Sequence, residues 1–100
     1  MDEYRVKIMS RAVQDINGIY EYIATEIQEP ETALHMVDRI EQAILSLEQM
    51  PFRCPERKTG LYKNQGYRQI FAGNYTIVFR INETEKTVIV VTVQYTPRRF

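Results

Sequence analysis

A chain of 100 residues, 44% apolar and 26% charged, is long enough for one domain around one small core, residues 1–100. Its single cysteine, Cys54, excludes an internal disulfide framework, and its single histidine, His35, excludes a zinc site of the usual kind, so neither metal nor cofactor is expected. The net charge is zero by cancellation: residues 1–50 hold four Lys/Arg against ten Asp/Glu and residues 51–100 nine against three, −6 and +6, and a basic half points to an anionic partner.

The opening Met1-Asp2-Glu3-Tyr4-Arg5 is acidic and enters a strand within a few residues, unlike a secretory signal. No apolar run reaches membrane-span length, and the cysteine content suits a reducing cytosol, so a cytoplasmic protein is expected. Tyr4–Met9 alternates Tyr4, Val6 and Ile8 with Arg5 and Lys7, the pattern of a half-buried strand. Ser10 is a candidate helix N-cap. Val13, Ile16, Tyr20, Ile23 and Ile27 then recur at helical steps, which predicts one helix of about 17 residues with that stripe inward. Gly18 weakens the helix, and close packing is expected at that point.

Glu29-Pro30-Glu31 ends this helix and starts a second: proline suits a first turn, and acids there complement the helix dipole. The second stripe is Ala33, Val37, Ile40, Ile44 and Leu47, ending before Pro51. The short link makes the two helices antiparallel neighbours. Ile19, Tyr22, Leu34, Met36, Leu45 and Met50 lie off both stripes, as wide core faces or as a partner-binding groove. Pro51–Asn64 reads as a loop with Arg and Lys interleaved with Phe52 and Tyr62. Such a loop suits a phosphate-and-base surface and a solvated connector equally.

Gly66–Tyr95 reads as a three-stranded antiparallel meander. Tyr67–Phe71 places Tyr67, Gln69 and Phe71 on one side, Arg68 and Ile70 on the other. A three-residue turn, Ala72-Gly73-Asn74, then sets Phe71 opposite Tyr75, so that Tyr75, Ile77, Phe79 and Ile81 join Tyr67 and Phe71 in the core. This register puts Arg68 opposite Val78 on an open face with Arg80 diagonal to it. A five-residue loop, Asn82–Lys86, sets Ile81 opposite Thr87 and brings Val88, Val90, Thr92 and Gln94 to the open face. The β-branched run Val88–Val93 predicts a strand that is not an exposed edge. The expected fold is α+β: a strand, an antiparallel helical hairpin and the meander, with both helices on one face of the sheet.

Several segments carry a resemblance: Tyr-x-Val-x-Ile at the start, Ile-Tyr-x-Tyr-Ile at Ile19–Ile23, the Pro51 link, Gly66-Tyr67-Arg68, Gly-Asn-Tyr-x-Ile-x-Phe-Arg-Ile at Gly73–Ile81, and a last strand running into an aromatic and Arg98-Arg99. In order and spacing, over nearly the whole chain, they resemble the RelE/ParE superfamily of toxins from bacterial type II toxin–antitoxin, or plasmid stabilisation, modules. The resemblance implies a cytoplasmic growth inhibitor silenced by a cognate antitoxin, through an acidic or amphipathic segment that folds on the toxin. The RelE-like branch cuts ribosome-bound mRNA without a metal, and by position it would use Arg68, Arg98 and, as the nearest tyrosine, Tyr95. Its other basic positions fall on Ile70 and Thr76. The ParE-like branch inhibits DNA gyrase by binding and is favoured, with Arg68, Arg80, Arg98, Arg99 and Tyr75 as target- or antitoxin-binding residues. A third reading is a non-toxic interaction module on the same scaffold.

Overall fold

A computed structural model describes residues 3–58, 60 and 62–96. In chain order the elements are β1 (Arg5–Ile8), α1 (Ser10–Glu21), α2 (Pro30–Leu45), β2 (Arg68–Ala72), β3 (Tyr75–Asn82) and β4 (Thr87–Tyr95). They form the expected α+β fold. The sheet order is β1-β4-β3-β2; β2, β3 and β4 are the antiparallel meander and β1 lies parallel to β4. β4 is therefore flanked on both sides, which accounts for its β-branched run. Parallel pairing of β1 with β4 requires a crossover, and the helical hairpin supplies it.

α1 begins at Ser10, with Met9 as the N-cap and no side-chain capping bond, and widens into a π turn over Tyr22–Glu26. Its inward stripe is rotated from the expected one. Ala12 and Ile23 are buried and Ile16 and Ile19 pack on the core, whereas Val13, Tyr20 and Ile27 are 44, 36 and 46% exposed. Both stripes have helical period; Ala12, fully buried, offers a smaller side chain where the helix meets the sheet. In α2 the expected stripe holds, with Ala33, Ile40, Ile44 and Leu47 buried and Val37 half-buried. Ile40, Ile44 and Leu47 close on Ile77, Phe79, Val88, Val90 and Val93 of the sheet.

The register of the meander differs from the expectation by one residue at both hairpins. The first turn has two residues, Gly73 and Asn74, and Ala72 pairs with Tyr75. Gly73 has φ +60°, the conformation a type II′ turn asks of its first central residue, and such a turn matches strand twist. Phe71 consequently pairs with Thr76, and Arg68 with Phe79. Arg68, Ile70 and Ala72 face the helices, while Gln69 and Phe71 face away. Packing decides this slip: Ala72 is buried to 5%, and Phe71 is left 43% exposed.

At the second hairpin Asn82 pairs with Thr87 and Ile81 with Val88, around a four-residue loop. Val88 and Val90 thus enter the core. The register shifts beside Val78 and Phe79, which pair with Thr92 and Val90 and leave Val91 as the extra residue of a bulge. That extra residue brings Val93 inward as well and leaves Thr92 and Gln94 on the outer face.

The outer face is not bare. Thr76, Val78 and Thr92 are 0, 0 and 1% exposed. Pro55–Arg57 runs antiparallel outside β2: Arg57 donates its backbone N–H to Tyr67 at 2.7 Å, and Gln69 donates to Pro55 at 3.1 Å. The Arg57 side chain crosses the face from there, donating to Oε1 of Gln69 at 2.8 Å and to Oε1 of Gln94 at 3.2 Å.

Candidate functional site

Two surfaces bear on the expected site residues, one on each side of the sheet. The first is a groove of about 840 Å³ between the helical hairpin and the Gly73/Tyr95 end of the sheet. Tyr22 and Ile27 form one lip, 56 and 46% exposed, and Tyr95, 63% exposed, forms the other. A side chain built at Gly18 would meet nothing within 4 Å, so this glycine opens the groove and serves no close contact. Arg39 stands in the wall and makes no ion pair or side-chain hydrogen bond among the described residues. Sequence reasoning passed over Arg39, although it is the only basic residue between Arg11 and Arg53.

Tyr75 lies half-buried in this groove, its ring 5.5 Å from that of Tyr95, edge to face. Burial, then the neighbouring Tyr95 and Tyr22 phenols, raises the Tyr75 phenol above its ordinary value. Near neutral pH it is a hydroxyl donor, not a phenolate base. Asp15 closes the far wall. Because β1 ends at Ile8, the outer edge of β4 continues without a strand, and Asp15 accepts from the Val93 N–H at 3.1 Å and the Thr92 hydroxyl at 2.5 Å.

The expected pairing of Arg68 with Arg80 does not form. Arg68, facing the helix side, donates to the Cys54 carbonyl at 2.5 Å and the Phe52 carbonyl at 3.4 Å. Its guanidinium also lies 5.1 Å from the Phe52 ring centre and 3.9 Å from Glu56. It ties the Pro51–Glu56 segment to the sheet. Tyr95 sits four ladder positions and two strands away, roughly 13 Å along and 10 Å across. Arg98 and Arg99 lie outside the described residues.

Arg80 does project from the outer face, exposed and without a side-chain partner among the described residues. Its neighbours there are residues to which the sequence reading gave no role. Ile89 pairs with Arg80 on one side and with Lys7 on the other, so Lys7, Ile89 and Arg80 form one row across three strands. Arg5, Thr87 and Asn82 form the next. The alternation of Arg5 and Lys7 in the sequence carried this signal; the adjacency of β1 to β4 did not show there. Among the described residues no three His, Cys, Asp or Glu side chains are grouped to hold a metal ion. No helix is long and apolar enough to cross a membrane.

Residues 6–100 match the sequence model of the family described as ParE toxin of type II toxin–antitoxin system, parDE. No curated protein matches the sequence. Among solved structures, one from the chromosomal ParDE toxin–antitoxin system of P. aeruginosa superposes with a TM-score of 0.77 at 20% identity, over 96% of this chain and 99% of that one. A chain of the RelBE2 toxin–antitoxin complex of Mycobacterium tuberculosis gives 0.66 at 19%, covering 98 and 97%. The YoeB/ParE toxin of Agrobacterium tumefaciens gives 0.58 at 16%, covering 91 and 96%. At such identities the likeness is one of fold.

Proposed function

The chain belongs to the ParE toxin family of type II toxin–antitoxin systems, and from that premise we propose that it arrests growth by binding DNA gyrase and is silenced by a cognate antitoxin seated in the Tyr22/Tyr95 groove. One observation favours binding over RNA cleavage. In-line attack by a ribose hydroxyl needs a proton acceptor, charge on the phosphate and a proton donor in one place. Arg68, which would supply the charge, is engaged with the Pro51–Glu56 segment, and Tyr95 stands at the other end of the sheet. An inhibitor that acts by binding needs no such assembly.

The groove suits a segment that folds on contact. It offers apolar side chains on both lips, an open floor at Gly18 and a single cation, Arg39, for a carboxylate of the incoming chain. The structures of similar fold include a chain from a ParDE toxin–antitoxin system and one from a RelBE2 toxin–antitoxin complex.

Two assays in parallel test this. The purified chain is added to gyrase supercoiling relaxed plasmid, and to ribosomes programmed with mRNA. The expected result is loss of supercoiling with intact mRNA. Truncated mRNA at codon boundaries with normal supercoiling would establish the RelE-like reading; neither effect would establish the non-toxic module.

A further inference from the structure

We propose that the outer face of the β1–β4–β3 row is a binding surface for the phosphate backbone of duplex DNA, with Arg5, Lys7 and Arg80 as its cationic contacts. The sheet carries no acid: none of the four strands contains an Asp or Glu. The acids stand at its borders: Glu3 before β1, Asp15 at the free edge of β4, where the Thr92 hydroxyl and the Val93 N–H hold it, Glu56 beside β2, and Glu83 and Glu85 in the last hairpin loop, Glu83 being engaged by Lys86 at 2.8 Å. Arg5, Lys7 and Arg80 are all exposed, and none makes an ion pair or side-chain hydrogen bond among the described residues. Two of them flank Ile89, which is 9% exposed, in a single ladder row. Rigid strands therefore hold three cations on one plane, roughly 7 Å apart along β1 and 10 Å apart across it.

The composition of the patch selects its occupant. Protein interfaces centre on apolar and aromatic anchors and are depleted of charge at the middle. Here the exposed side chains of the two rows are Arg5, Lys7 and Arg80, beside the half-buried Asn82 and Thr87, and such groups contact phosphate oxygens. Single strands are held by stacking bases on free aromatic rings. Tyr62 and Tyr67 are engaged with each other at 4.7 Å, neither cation row contains a ring, and the exposed Phe71 lies on β2, outside both rows. A duplex, whose bases are already stacked, asks only for the cations. The charge separation supports the same orientation: the first fifty residues, mostly helix on the opposite side, carry the −6. This surface does not depend on the gyrase reading and does not share residues with the groove.

Fluorescence anisotropy of a short labelled duplex of random sequence, titrated with the full chain at several salt concentrations, tests it. Three phosphate contacts give a log–log salt slope near −2.7, a loss of about 40-fold in affinity between roughly 50 and 200 mM salt. Substituting Arg5→Gln, Lys7→Gln and Arg80→Gln together is expected to weaken binding about tenfold or more and flatten the slope by two to three units. Arg11→Gln, on the helix side, serves as control and is expected to change little. Circular dichroism checks the fold, and the single variants Lys7→Gln and Arg80→Gln, each flattening the slope by about one unit, decide the matter where the triple variant unfolds. Unchanged binding by these variants overturns the proposal. So does a single-stranded oligonucleotide, or polyglutamate of equal charge, that binds as tightly through the same three residues.

Discussion

Arg68 donates to the Cys54 and Phe52 carbonyls, while Arg80 makes no ion pair or side-chain hydrogen bond among the described residues, so the two should separate in a stability measurement. Arg68→Ala removes a charged donor from two carbonyls and is expected to cost about 1–3 kcal/mol. Arg80→Ala should stay within about 0.5 kcal/mol of the parent. Urea denaturation of both variants checks this, and equal small effects would remove the structural role assigned to Arg68. Tyr75 permits a prediction with a defined sign. Its phenol is raised on folding by burial, then by Tyr95 and Tyr22, so the folded state favours the neutral form. That contribution is whole below the unfolded value near 10 and disappears as pH rises through the folded value. Unfolding free energy between about pH 9 and 12 should therefore fall more steeply for the parent than for Tyr75→Phe. Parallel curves would contradict it. Cys54, buried to 5%, has its thiol raised by burial against the lowering influence of Arg53 and Arg68, the state of an inert packing thiol.

At the scale of elements, α1 and the two hairpins decide where surfaces lie. α1 turns Ala12, Ile16, Ile19 and Ile23 inward and leaves Gly18 over open space. Leucine at that position has room and a better helix propensity, by roughly 0.8 kcal/mol. Gly18→Leu should therefore raise the unfolding midpoint slightly while filling the groove. Co-expressed with the product of the adjacent reading frame, it is expected to remain toxic where the parent is neutralised. A Gly18→Leu chain that is neutralised as well as the parent would place the antitoxin elsewhere. In the hairpins, the two-residue turn at Gly73-Asn74 and the extra residue Val91 set which side chains meet the helices. The turn decides which side chains of β2 face inward against β3, and the bulge moves the residues after Val91 to the opposite face.

For the molecule as a whole, the first strand completes the sheet beside the last. β1 pairs with Thr87–Val90, and the Met9 N–H continues the pairing to the Val90 carbonyl at 2.9 Å. Tyr4, 8% exposed, packs in the same core as Leu47 and Val88. Removing residues 1–8 takes these contacts away and turns β4 into an open edge. The shortened chain is expected to lose cooperative thermal unfolding by calorimetry and to aggregate. A sharp transition near the parent midpoint would show that the meander and hairpin are self-sufficient. The same long-range pairing sets the charge layout, because it carries Arg5 and Lys7 to the row that ends in Arg80.

Local chemistry was enough for the elements. Alternation at Tyr4–Ile8, proline at the start of the second helix, glycine at the first hairpin and the β-branched run at Val88–Val93 each act within a few residues, and together they specified the α+β order. The faces were another matter. Ala72 and Phe71 compete for one inward position, and only the room beneath the helices chooses between them; the loop alone leaves both turns open. Arg68 reads as a surface cation until the Pro51–Glu56 segment is seen lying against it, and Lys7 shares a ladder row with Arg80 only because a crossover places the first strand against the last. Periodicity reports that a side chain alternates, whereas its partner across the ladder is fixed by contacts tens of residues away, which is why the site had to wait for the tertiary structure.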